Sequence, residues 1–150
     1  MKESPERITD KEELSRIVVD SGFKLHSELG PGLLESVYEA VLAKMLDEMG
    51  LQVRRQVAVP VTVFDMHFDE GFRADLLVEE LLLVELKSVE KLLPVHGKQV
   101  LTYLRLMNLP LGLLINFGAS TFKEGTRRIV NGSQSFQSSS LDVNRANRSD

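Results

Sequence analysis

An α/β domain built on a mixed sheet is what this 150-residue sequence predicts, with three changes of pattern behind the reading. Helical periodicity fills the first fifty residues, and valines alternating with other residues replace it from Leu51. Across residues 81–117, a helix-like segment lies between two apolar runs, the arrangement of a parallel strand–helix–strand crossover.

The elements follow in order. Thr9-Asp10-Lys11-Glu12 has the form of a capping box, with Thr9 as cap and Glu12 returning the bond. Leu14, Ile17, Val18, Leu25 and Leu29 then recur at helical spacing until Gly30-Pro31-Gly32 ends the helix. A second helix carries the stripe Leu34, Val37, Tyr38, Val41, Leu42, Met45, Leu46 and Met49, read as core-facing, with Gly50 closing it. Val53, Val57, Val59, Val61 and Val63 mark a strand or bent strand pair, and Pro60 places it at an edge or a bulge. Asp65–Gly71 reads as polar turn, followed by strands over 72–78 and 81–88 joined at Glu79-Glu80. Pro94 starts a helix to about Met107, with Val100, Leu101, Leu104 and Met107 inward. Leu111–Phe117 reads as a buried strand and Lys123–Val130 as a turn and last strand. The expected order is helix, helix, three strands, helix, strand. Residues 1–130 form the expected domain. Residues 131–150, with six Ser, three Asn and four apolar residues, are expected to be a disordered tail.

Composition narrows the chemistry. The absence of Cys excludes disulfides, thiolate nucleophiles and zinc–Cys sites. No Gly-rich phosphate loop or dinucleotide fingerprint is present. Glu79, Glu80 and Glu85 break the most apolar run, so no segment is suited to spanning a bilayer. The charged start (Lys2, Glu3, Glu6, Arg7) differs from a secretory signal, and the expected address is the cytoplasm. The net charge of −4 is unevenly distributed: residues 31–86 hold eleven acids and four bases, residues 87–130 seven bases and two acids. An acidic, cation-binding centre beside a phosphate-attracting surface fits that asymmetry, as does ordinary fluctuation of surface charge.

The chemistry concentrates in one hairpin. Glu85 and Lys87, separated by one residue on a strand, share a face. Leu83, Val84 and Leu86 around them are apolar, and Asp75 lies nearly opposite Glu85 on the preceding strand. Two carboxylates on one sheet face repel unless a cation lies between them, and oxygen donors on a rigid sheet suit Mg²⁺ or Mn²⁺. Lys87 beside such a metal would orient or help deprotonate a water, or neutralise charge building on a phosphate. An edge-strand ion pair is the other reading of Glu85 and Lys87, and Asp75 in a strand otherwise rich in Leu and Val sits awkwardly with it. On the helix from Pro94, His96, Gln99 and Tyr103 share one face. His96, as base or phosphate contact, and Tyr103 are secondary candidates. Tyr38 is another secondary candidate, although packing of its ring in the core is the simpler role.

Asp75 followed by Glu85-Leu86-Lys87, after a helix carrying Glu35, resembles the PD-(D/E)xK nuclease superfamily. More narrowly, Gly32-Leu33-Leu34-Glu35-Ser36-Val37-Tyr38 resembles the signature of the GxxExxY family. Leu29-Gly30-Pro31-Gly32, Gln99 with Tyr103, and Gly112–Phe117 are also similar to that family, over residues 9–130 in all. The resemblance implies a restriction-endonuclease-like domain. It implies Asp75 and Glu85 as metal-binding acids, and Glu35 as a helix-borne acid joining them directly or through water. Lys87 would be the lysine of the E-x-K element and Gln99 a glutamine near phosphate or the attacking water. Every acidic and basic position of the motif is filled.

The implied activity is Mg²⁺- or Mn²⁺-dependent hydrolysis of DNA or RNA, with Lys91, Lys98 and Arg105 as phosphate contacts. The alternative is a non-catalytic module of the same fold that binds protein or nucleic acid. The expected partner is nucleic acid, with no membrane association. A small nuclease that cuts both strands would benefit from forming a two-fold homodimer.

Overall fold

Asp10, not Thr9, caps the first helix: its carboxylate accepts the Glu12 N–H at 2.9 Å, and its carbonyl accepts the first helical bond, from Leu14. The structure is a computed structural model describing residues 7–132. The expected tail lies outside the described residues except for Asn131 and Gly132. Asn131 is anchored, its N–H donating to the Pro110 carbonyl and its side-chain amide to that of Leu109 at 3.0 Å.

Helix α1 (Lys11–Leu29) buries Leu14, Val18 and Leu25, and helix α2 (Glu35–Glu48) buries Tyr38, Leu42, Ala43 and Leu46. The expected α2 stripe is only half right. Leu34, Val37, Val41 and Met49 are exposed, whereas Glu39 is buried. The reason is rotation: the face centred on Tyr38, Leu42 and Leu46 meets the sheet, which brings Glu39 in with it. Tyr38 is fully buried and stacks on Phe117 with centroids 4.5 Å apart. Its hydroxyl donates to the Gly30 carbonyl at 2.6 Å and accepts the Leu33 N–H at 3.2 Å. Gly30 and Gly32 take left-handed φ values of 68° and 113° in this turn, and Ser88 donates to the Leu33 carbonyl. Tyr38 therefore acts in packing and in holding the α1–α2 turn.

Five strands form one sheet: β1 (Val53–Val63), β2 (Met66–Val78), β3 (Leu82–Lys87), β4 (Leu111–Asn116) and β5 (Thr126–Val130), in the order β1-β2-β3-β4-β5. Only β3 and β4 run parallel, joined through helix α3 (Pro94–Met107) as the crossover predicts. A single turn of helix, α4 (Phe122–Gly125), precedes β5 and was not expected. β1 is one of the two edge strands, and its register shifts between Val59 and Val61, around Pro60.

Of the polar stretch Asp65–Gly71, all but Asp65 is strand, not turn. Phe64 and Asp65 alone turn the chain, both with left-handed φ, and Met66 already pairs with Val63. Its polarity belongs to the outer face of an exposed ribbon, where Thr62, His67 and Asp69 hydrogen-bond in series. On one side of the sheet, Leu76, Val78, Val84, Leu86, Leu113 and Ile115 pack with α1 and α2. On the other, Val57, Val59, Ala74, Leu77, Leu83 and Leu114 pack with α3 residues Val100, Leu101 and Leu104.

Tyr38→Phe tests the α1–α2 turn. Losing the hydroxyl leaves the Gly30 carbonyl and Leu33 N–H without this partner, so urea denaturation should show a loss of about 1–3 kcal/mol. Unchanged stability would mean that the turn is held by other contacts.

Candidate functional site

The site forms where the alternation of β1 and β2 slips. Ala74 and Leu77 both face α3, whereas Leu76 and Val78 face α1 and α2, so the change of face falls at Asp75. Opposite it, Gln56 adopts a left-handed φ of 50°, strained backbone for a side-chain-bearing residue. The paired register of β2 with β3 runs only from Val78–Leu82 to Leu76–Val84. Beyond that point β2 continues with β1 as a two-stranded arm.

Carboxyl groups bridge the divergence. The Leu86 N–H donates to Asp75 Oδ2 at 2.8 Å, and the Asp75 N–H donates to Glu85 Oε1 at 3.3 Å. Gln56 Nε2 donates to Asp75 Oδ1 at 3.2 Å and also to Glu39. The second Glu39 oxygen accepts from Arg55 Nη2 at 3.0 Å and Nε at 3.2 Å. A chain of contacts thus links Arg55, Glu39, Gln56, Asp75 and the β3 backbone.

Glu85 is 6% exposed, and burial, a hydrogen bond with Asp75 and the Asp75 charge push its carboxyl pKa up to about 9. Lys87 opposes that rise. Glu35, in the first turn of α2, also has its pKa raised, chiefly by burial and then by the Asp75 charge, again against Lys87. The acids from α2, β2 and β3 and the lysine that ends β3 therefore act within one field. Lys87 pairs with Asn116 on β4, and Asn116 fixes the segment that follows Lys87. Its side chain accepts the Val89 and Gly118 N–H groups and donates to the Val89 carbonyl.

Helix α3 brings Gln99 and Tyr103 to the same centre. The raised Tyr103 hydroxyl pKa reflects burial first and then the Glu85 charge, with a Gln99 hydrogen bond opposing and Asp75 adding to the rise. The Tyr103 ring lies flat on Phe72, centroids 3.9 Å apart. His96 is engaged elsewhere: its Nδ1 accepts the Leu93 N–H at 3.0 Å at the start of α3. Burial and then the Lys87 charge lower its pKa. Lys91, Lys98 and Arg105 are exposed, and none forms an ion pair among the described residues.

Four residues of this constellation escaped the sequence reading: Glu39, Arg55, Gln56 and Phe72. Two signals for the first three were present. Arg54-Arg55-Gln56 interrupts the valine alternation, and Glu35 and Glu39 are like charges four apart on one helix, an unfavourable pairing without a partner between them.

Among the described residues, no three His, Cys, Asp or Glu side chains already converge as a cage for an ion. The donors that do meet, Asp75 and Glu85, offer carboxylate oxygens only. That set fits a hard cation that keeps several of its waters, Mg²⁺ or Mn²⁺.

A five-stranded mixed sheet flanked by helices, with carboxyl groups where two strands part, defines a restriction-endonuclease-like, nuclease-type fold. A family model described as the PD-(D/E)XK nuclease superfamily matches residues 12–129, and the chain belongs to that superfamily. No curated protein and no solved structure matches it. Among the described residues, no helix is long and apolar enough to cross a membrane.

The raised Glu85 pKa makes stability depend on pH. Below its ordinary value of 4.5, the folded and unfolded states both hold the proton. Between there and about 9, the unfolded chain releases the proton while the folded chain keeps it, so stability falls as pH rises through this window. In EDTA, Glu85→Gln should raise the melting temperature at pH 8 and have little effect at pH near 4. A large loss at pH 8 would instead mark Glu85 as an ionised structural partner.

Proposed function

We propose that this chain is a divalent-metal-dependent phosphodiesterase that hydrolyses nucleic acid. The observation that carries the reading is the Asp75–Glu85 pair at the parting of β2 and β3, with Lys87 one alternation further along the same strand. Asp75 and Glu85 would hold Mg²⁺ or Mn²⁺, with Glu35 joining directly or through water. The ion, when bound, supplies Lewis-acid charge to a phosphoryl oxygen and lowers the pKa of bound water.

The chain's own groups do the rest. The Lys87 ammonium donates to the attacking water or to a phosphate oxygen, where it offsets the negative charge that grows in the transition state. Gln99, four residues before Tyr103 on the same face of α3, offers an amide to the same phosphate or water. The Gln56 amide holds Asp75 in place from the far side. Lys91, Lys98 and Arg105 bind the nucleic-acid backbone. His96 has a lesser place in this scheme because one of its ring nitrogens already caps α3.

Cleavage of labelled DNA and RNA, in Mg²⁺, Mn²⁺ and EDTA, tests the proposal. Lys87→Ala should slow cleavage by roughly 10²-fold or more, the size of one lost electrostatic stabiliser, with the fold intact. Asp75→Ala should abolish cleavage. If Lys87→Ala cuts as fast as the wild type while Asp75→Ala is inactive, the role given to Lys87 is wrong. If neither change alters the observed cleavage, the activity is a contaminant and the non-catalytic reading stands in its place.

A further inference from the structure

The arm formed by β1 and β2 has two unlike faces. Thr62, His67 and Asp69 occupy the outer one. The inner one carries Val61, Val63 and Phe68 toward α3, where Thr102, Tyr103 and Leu106 form the facing wall of a groove of about 460 Å³. The groove is apolar and open: Phe68 is 44% and Leu106 49% exposed. Glu70, also at its edge, is neutralised by an ion pair with Arg73.

Two observations indicate what fits there. The groove adjoins the candidate site, because Tyr103, which lines it stacked on Phe72, also lies within the field of Glu85 and Asp75. Its α3 rim is also positive. Lys98 and Arg105 lie four residues before and three after Thr102, on the same exposed helix face, and neither has an acidic partner among the described residues. They span about 10 Å along the helix axis. One wall thus attracts phosphates and the other offers aromatic and aliphatic surface, the two components of a single-strand binding groove. A duplex keeps its base faces stacked on one another and has none to place against Phe68.

We infer that this groove seats unpaired bases of a single-stranded nucleic acid whose phosphates follow Lys98 and Arg105 along α3 toward Lys87. This rests on the nuclease reading above and adds the substrate class.

Fluorescence anisotropy of the full chain in EDTA, where binding is read without cleavage, tests it with labelled oligodeoxyuridylate, oligouridylate and a duplex of equal length. A single strand should bind more tightly than the duplex, and the two oligonucleotides show which sugar is preferred. Phe68→Ala should weaken single-strand binding about tenfold, the size of one lost base stack, without lowering the melting temperature. His67→Ala, on the outer face, should change nothing. Lys98→Ala and Arg105→Ala should each make log K less dependent on log salt by about 0.7 in slope. Duplex preference, or unchanged single-strand affinity in Phe68→Ala, overturns the inference and leaves the nuclease reading standing. Absence of any nucleic-acid binding by the wild type in EDTA overturns the inference, and the nuclease reading is then decided by the cleavage assay in Mg²⁺ and Mn²⁺. If Phe68→Ala disrupts self-association in sedimentation and leaves oligonucleotide binding intact, the groove belongs to a second copy of the chain and the inference fails.

Discussion

The rest of the site depends on one hydrogen bond, from the Leu86 N–H to the Asp75 carboxylate. Where β2 parts from β3, backbone groups lose their ladder partners, and an unsatisfied N–H at a buried position is costly. Asp75 fills that gap with a side-chain oxygen, and Glu85 returns the favour by accepting the Asp75 N–H. The sheet can therefore open at this point without leaving these two N–H groups unpaired. The atoms that close the gap are the same carboxyl oxygens that a cation would use, which ties local stability and cation binding to one pair of residues.

The opening is imposed from β1. Gln56 adopts left-handed backbone, alternation slips in both strands, and the arm beyond the slip leaves the other three strands, β3 to β5. Strained φ of this kind persists where surrounding structure over-determines it, and here Glu39 and Asp75 hold the Gln56 side chain on both sides. Apolar packing on both faces of the sheet offsets the unfavourable collection of acids between them. Burial and mutual repulsion keep Glu85 and Glu35 from ionising as freely as they would in water, the expected condition of a cluster suited to a cation.

Much of this was legible in the sequence. The two-residue period of the strands places Glu85 and Lys87 on one face, and the short link at Glu79-Glu80 brings Asp75 opposite Glu85. The capping assignment erred by one residue because Thr9 and Asp10 are both good caps, and only backbone geometry separates them. The α2 stripe was too wide because eight apolar residues in that segment cannot all face one sheet, and periodicity alone does not choose the rotation. Asp65–Gly71 was mistaken for a turn because an exposed ribbon and a loop share polar composition, whereas cross-strand pairing distinguishes them. The burial of Glu39 and the left-handed Gln56 depend on contacts between α2 and the arm, which no local pattern encodes. Assigning Glu35 and Gln99 to the cluster took family resemblance in addition to periodicity, and both lie within reach of its charges or its tyrosine.

The central claim is that the Asp75–Glu85 pair is a cation site held partly protonated by burial. Calorimetric titration of Mn²⁺ in buffers of different ionisation enthalpy counts the protons released on binding. At pH 7.5, about one proton should leave per ion bound, because a ligating carboxyl must be deprotonated and Glu85 holds its proton up to about 9. One binding site with that proton release, both lost in Glu85→Gln, is the predicted result. Binding with no proton released, or binding that survives Glu85→Gln unchanged, would contradict it.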